Sequence, residues 1–295
     1  MNTQKQAAAI HDISGFGRCS LTVALPVLSA AGIQTSVIPT AVLSTHTGGF
    51  TGYTFRDLTD DILPIAKHWN GLGLKFDAIY TGFLGSLEQI DIIIEALSLL
   101  RSEDTIVIVD PVMADFGKLY TIFNNDFPAA MRKLCARADV IVPNLTEAAL
   151  LTNTPYSEGP FERKEAEDIL QTLAAIGPKK VVLTGVTYKD SPEEIGAASY
   201  DAEAEAFAYS GKKRIEPMYH GTGDVFASVL TAALVNNKSL SNACAAAVSF
   251  TVEAIIRTKA AKTDNRYGVD FESGLSELAG IISNSAKPQN GATSK

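Results

Sequence analysis

Short apolar runs alternate with amphipathic, helix-period stretches along most of the chain, and this alternation constrains the fold more than any other feature. Strands covered by helices on both faces read as continuous apolar runs, and a strand, helix, strand series joins into a mainly parallel sheet. The runs predict strands over residues 7–13, 35–40, 77–81, 105–110, 139–142 and 180–184. Helical periodicity predicts helices over 19–31, 56–68, 87–100, 127–136 and 163–175. After Thr184 the pattern changes, and 194–200 with 203–210 read as an antiparallel hairpin at one sheet edge. Two Ala-rich helices follow, over 224–236 and 240–258. The expected architecture is α/β in three layers, with helices on both faces of the sheet and ligands beyond the carboxyl ends of its strands.

No internal repeat and no long linker divides the sequence, so a single domain is expected over residues 1–285, followed by a polar, disordered tail at 286–295. The longest apolar runs fall short of the roughly 20 residues a bilayer requires, and no membrane span is expected. The N-terminus lacks a basic start and a long apolar run, which makes a cytoplasmic location the expectation. Three widely spaced cysteines, Cys19, Cys135 and Cys244, fit a reducing compartment and form no zinc pattern. A net charge of −8 argues against nucleic acid as a partner, so an anionic cofactor would have to be held locally, which backbone amides and a metal could do.

The most informative segment is His220-Gly221-Thr222-Gly223-Asp224, a glycine turn that runs straight into an apolar helix. Glycines let the main chain come close to a ligand, and amides at a helix start favour anions, including the charge on a phosphoryl group in transfer. Asp224 then stands where it can take a proton from an attacking hydroxyl. The plainer alternative is an Asp that caps the helix after a flexible turn. No Gly-x-x-x-x-Gly-Lys-Ser/Thr string occurs, which excludes a P-loop kinase. Ser14-Gly15-Phe16-Gly17 is only a partial dinucleotide fingerprint, which disfavours a dehydrogenase.

Together these segments resemble the ribokinase superfamily, and within it the pyridoxal/pyridoxamine kinase group, from about residue 10 to residue 254. The resemblance implies that Gly221, Thr222 and Gly223 form an anion hole and that Asp224 is the catalytic base. Ser14, in Asp12-Ile13-Ser14-Gly15-Phe16-Gly17, would contact the vitamin ring; a turn and helix cap is the alternative there. Thr47, in Ser44-Thr45-His46-Thr47-Gly48, would face the substrate, whereas His46 reads as a structural imidazole. Phe83 stands where many relatives have Tyr and cannot donate a hydroxyl hydrogen bond.

On the nucleotide side the resemblance assigns Asp110, Asn144, Glu147, Thr184 and Thr222 to ATP, and Asp110, Asp115 and Glu147 to Mg²⁺, with K⁺ or Na⁺ as a further ion. Asp110-Pro111-Val112-Met113-Ala114-Asp115 has a plainer reading in which Asp110 caps a turn and Asp115 stays solvated. Asn144 and Glu147 also have capping-box spacing, and both roles are compatible. The fold implied is ribokinase-like without a separate lid domain, so that the loops 115–123 and 212–219 would cover the site. A homodimer is implied. The activity implied is ATP-dependent phosphorylation of a B6 vitamer. Hydroxymethylpyrimidine is the rival acceptor, and a non-catalytic ligand-binding relative is the alternative of another class.

Overall fold

The computed structural model describes residues 4–283. In chain order its elements are β1 (Gln6–Ser14), α1 (Leu21–Ala30), β2 (Gln34–Leu43), β3 (Phe55–Asp57), α2 (Thr59–Gly71), β4 (Ala78–Thr81), α3 (Leu87–Leu100), β5 (Ile106–Val109), β6 (Ala114–Asp115), β7 (Lys118–Leu119), α4 (Phe127–Cys135), β8 (Val140–Ile141), α5 (Leu145–Thr152), α6 (Arg163–Ala174), β9 (Lys180–Tyr188), β10 (Ser191–Asp201), β11 (Ala206–Lys213), α7 (Thr222–Val235), α8 (Leu240–Ala261) and α9 (Leu275–Ser283). Nine strands form one sheet in the order β11-β10-β9-β8-β5-β4-β1-β2-β3. Strands β2, β1, β4, β5, β8 and β9 run parallel.

Successive residues of the central strands serve opposite faces, as the two-residue period of a strand requires. Ala7, Tyr80, Ile108, Val140 and Val182 pack with α1, α7, α8 and α9. Their neighbours Ala8, Ile79, Val107, Ile141 and Val181 pack with α2 to α6. Because both faces are covered, these strands carry no polar alternation, and the apolar runs in the sequence are their direct trace. The chain passes from β1 to β2 on one side and later returns to β4 on the other. That reversal opens a crevice at the carboxyl ends of β1 and β4.

The structure differs from the sequence reading in four places. Residues 55–57 form no helical turn; they pair antiparallel with β2 and supply hydrogen bonds its edge would otherwise lack, so α2 begins at Thr59. Thr184 does not end its strand, because β9 continues to Tyr188 while pairing with β10. The hairpin is longer than the sequence indicates, with β10 and β11 paired from Glu194 to Lys213. The helix after the glycine turn starts at Thr222 and not at Asp224. Helix α8 has the length and hydropathy of a membrane span, yet half of that stretch is buried, with Ala243, Cys244, Ala247, Phe250 and Ala254 in the core. The expected tail at 286–295 lies outside the described residues.

Candidate active site

The parallel strands deliver their carboxyl ends to one edge of the sheet, and the predicted residues arrive there from separate segments. Asp12 and Ser14 end β1, Phe83 follows β4, Asp110 follows β5 and Asn144 follows β8. Gly221 is the N-cap of α7 in a left-handed conformation, φ 73°. Only glycine fits there, since a Cβ would collide with the Arg18 carbonyl oxygen. A Cβ on Gly223 would meet nothing within 4 Å. No side chain caps α7, so its first N–H groups stay available at the positive end of the helix dipole.

Asp224 occupies the third position of α7, which removes the simple N-cap alternative. Its carboxylate is half-buried, with the Ser20 main-chain N–H and the Cys19 thiol as the donors that favour its charged form. Desolvation raises its pKa from 3.8 to about 7; the Asp12 charge adds to the rise, and the two hydrogen bonds oppose it. A carboxylate tuned to the neutral range is suited to accept a proton from an alcohol and release it again.

Asp110 is buried, and desolvation, then the charges of Asp224 and Asp115, push its pKa well up. Glu147 is also buried, and desolvation and Asp110 raise it, while hydrogen bonds from the Asn144 and Met113 amides oppose the rise. Those bonds measure 2.8 and 3.1 Å. The capping box foreseen at Asn144 and Glu147 is present in full. The Asn144 side-chain N–H₂ also donates to the Ala114 carbonyl at 2.8 Å and to Asp115 at 3.1 Å. Asp115, exposed on the β6–β7 turn, accepts the Tyr120 hydroxyl at 2.6 Å, so it is solvated but not free.

Among the described residues, neither Lys nor Arg forms an ion pair with Asp12, Asp110, Asp115, Glu147 or Asp224. Among them, too, no three ligating side chains converge as a ready cage for a metal. Uncompensated carboxylates of this kind fit a cation that keeps waters and substrate phosphates among its ligands, as Mg²⁺ does.

The remaining predicted residues are less closely tied to this group. Ser14 is buried and donates to Asp12 at 2.9 Å. Thr47 is exposed on the loop after β2. Both ring nitrogens of His46 are engaged by the main chain: Gly48 N–H donates to its Nδ1 and its Nε2 meets the Arg266 carbonyl at 2.6 Å. Phe83 is buried against Phe123, ring centroids 5.9 Å apart. The Thr184 N–H donates to the Pro143 carbonyl, and the Thr222 hydroxyl to the Tyr219 carbonyl.

The family profile for phosphomethylpyrimidine kinase matches residues 25–269. The chain belongs to the phosphomethylpyrimidine kinase family. A solved family member from Bacteroides thetaiotaomicron, described as a phosphomethylpyrimidine kinase and crystallised with pyridoxal, is 39% identical. Its TM-score is 0.89, over 94% of this chain and 96% of that one. Pyridoxal kinase from Lactobacillus plantarum is 36% identical with a TM-score of 0.85, over 94% and 97% of the two chains. The pyridoxine/pyridoxal/pyridoxamine kinase of Bordetella avium is 28% identical over 83% of each chain. The ribokinase-like architecture expected from the motifs is therefore the one this family member adopts.

Sequence reasoning passed over Asp12, Cys19 and Ser20. Asp12 lies in the same strand-end motif as Ser14, which donates to it. The segment 264–268 was missed as well, although it closes over the glycine turn: the Arg18 N–H donates to the Tyr267 carbonyl at 3.1 Å and the His220 N–H to the Asn265 carbonyl at 3.3 Å.

Proposed function

We propose that this chain transfers the γ-phosphoryl group of ATP to the 5-hydroxymethyl group of the B6 vitamers pyridoxal, pyridoxine and pyridoxamine. The observation that carries the reading is Asp224, a carboxylate with its pKa near 7, set in the uncapped first turn of a helix beside acidic strand ends. Relatives named pyridoxal kinase, and a family member crystallised with pyridoxal, support the acceptor.

Asp224 takes the hydroxyl proton as the substrate oxygen bonds to the γ-phosphorus, and the bond from that phosphorus to the β,γ-bridging oxygen breaks to leave ADP. The 221–223 amides stabilise charge on the transferring group. Positioning and electrostatics supply most of the rate. Mg²⁺ bound with ATP would neutralise phosphate charge, with Asp110, Asp115 and Glu147 as the residues to hold it, and a K⁺ or Na⁺ ion would serve the same acidic edge. Asn144, Thr184 and Thr222 would contact the nucleotide, and Ser14, Thr47 and Phe83 the vitamin side. Three free, buried cysteines support a cytoplasmic site of action. A homodimer is part of the proposal.

The test is ATP-dependent phosphorylation of the three vitamers and of hydroxymethylpyrimidine, measured side by side as ADP release. Turnover of at least one vitamer well above hydroxymethylpyrimidine is expected; preference for the pyrimidine would reverse the assignment.

A further inference from the structure

Gln89 is the third residue of α3, behind the N-cap Ser86, a Ser-x-x-Gln spacing in which the glutamine ordinarily reaches back to the N–H of the cap residue. Half of that arrangement is present: the Ser86 hydroxyl accepts the Gln89 N–H at 3.2 Å. The other half is redirected. Gln89 Oε1 takes the N–H of Gly85, one residue outside the cap, at 2.7 Å. Its Nε2 donates to the Thr40 carbonyl and to the Thr59 hydroxyl, each at 3.0 Å.

The Gln89 side chain is wholly buried. Glutamine is mostly found exposed, and an amide can be buried without penalty only when its oxygen and both of its N–H groups find partners, as they do here. A polar network satisfied in this way holds the segments it joins in one arrangement. The segments are β2 through Thr40, the start of α2 through Thr59, and the loop between β4 and α3 through Gly85. That loop carries Phe83. The Thr40 hydroxyl donates to the Phe83 carbonyl at 3.4 Å, and the Gly82 N–H donates to the Ile10 carbonyl at 3.2 Å. Gly82 also lies so close to the His11 ring that a Cβ there would collide with it.

We propose that Gln89 is a positioning residue for the acceptor. It locks the 82–86 loop to β2, the strand that leads into the loop carrying Thr47, and so fixes where Phe83 stands relative to Thr47. Both of those residues were assigned above to the vitamin side. None of the Gln89 hydrogen bonds reaches a segment that carries Asn144, Thr184 or Thr222, on the nucleotide side. A flat, aromatic acceptor then enters a wall that is already set, and binding does not have to order the loop. Release of the loop weakens the acceptor and leaves the nucleotide alone.

This inference rests on the kinase reading above, and its test separates the two. Steady-state kinetics with pyridoxal and ATP, together with Tm, are measured for wild type, Gln89→Met, Phe83→Leu and the double variant. Methionine keeps the length of glutamine and makes none of its hydrogen bonds. KM for pyridoxal is expected to rise about tenfold in Gln89→Met, with KM for ATP within about twofold of wild type. A merely structural glutamine would move the two KM values together or neither, and either result overturns the proposal. Because Gln89 acts through the loop that carries Phe83, its effect on KM for pyridoxal should be smaller in the Phe83→Leu background; an equal rise in both backgrounds overturns it. If Gln89→Met does not fold, hydrogen exchange on wild type decides: a protected Gly85 N–H in the ligand-free protein supports a preset loop, and rapid exchange overturns it. If wild type phosphorylates no vitamer, the kinase reading fails. Calorimetric titration with pyridoxal then decides the role of Gln89: binding about tenfold weaker in Gln89→Met supports it, and equal binding, or none by wild type, overturns it.

Discussion

The side chain of Asn144 joins two parts of the site at once: its oxygen caps α5 by accepting the Glu147 N–H at 2.9 Å, while its nitrogen donates to Asp115 at 3.1 Å. Helix α5 and the β6–β7 turn are thereby registered against each other at the edge where phosphates would lie.

Replacing Asn144 with Ala removes the cap and the tie together. Loss of an N-cap costs about 1 kcal/mol, and freeing Asp115 should raise KM for ATP more than it lowers kcat. Thermal unfolding and steady-state kinetics on one preparation check both effects, and an unchanged KM for ATP would argue against a nucleotide-side role for Asp115.

Asp224→Asn keeps the shape of the side chain and removes its basicity. A kcat lower by at least ~10²-fold is expected, with nucleotide affinity little altered. In wild type, kcat/KM should rise with pH through about 7, where Asp224 ionises. Near-normal turnover by the variant would remove Asp224 from the role of base.

Stability of the ligand-free protein should fall as pH rises through about 7. A carboxyl whose folded pKa is raised keeps a proton that the unfolded chain has lost, so its contribution is full below the unfolded value of 3.8 and fades as pH climbs through about 7. Asp110 and Glu147 act in the same sense. The histidines His11, His46 and His220, whose folded pKa values are lowered, oppose this trend only below about 6.5, their unfolded value. Differential scanning fluorimetry between about pH 6.5 and 8.5 should show a declining Tm, and added Mg²⁺ should raise Tm more at the alkaline end. A Tm that rises over this range contradicts the acidic-edge account.

The two glycines of the turn should respond differently to alanine. Gly221→Ala forces a positive φ costing roughly 1–2 kcal/mol and also drives a methyl group into the Arg18 carbonyl, so Tm and activity should fall together. Gly223→Ala meets open space, so Tm should hold while kcat/KM falls if the methyl group stands where the phosphoryl group must approach. Full activity in Gly223→Ala would place the transferred group elsewhere.

The fold was legible because buried parallel strands leave unbroken apolar runs, and the six predicted runs all became strands of the sheet. Strand β3 was not legible, since Phe55, Arg56 and Asp57 are exposed and their pairing depends on the free edge of β2, which no local pattern announces. At the site, the glycine turn and the capping box could be read because main-chain geometry demands particular residues there. Thr184 was placed at a strand end because Gly185 follows it, and β10 pairing carries the strand through that glycine.

The carboxyl-end edge draws its groups from residues 12, 20, 83, 110, 144 and 224, separated by most of the chain and meeting only when β1, β4, β5 and β8 lie side by side with α7 against them. A fragment that lacks any of these strands or α7 should then show no phosphotransfer. Regain of phosphotransfer during refolding should coincide with the last stage of sheet assembly, so the reaction itself serves as a reporter of complete folding.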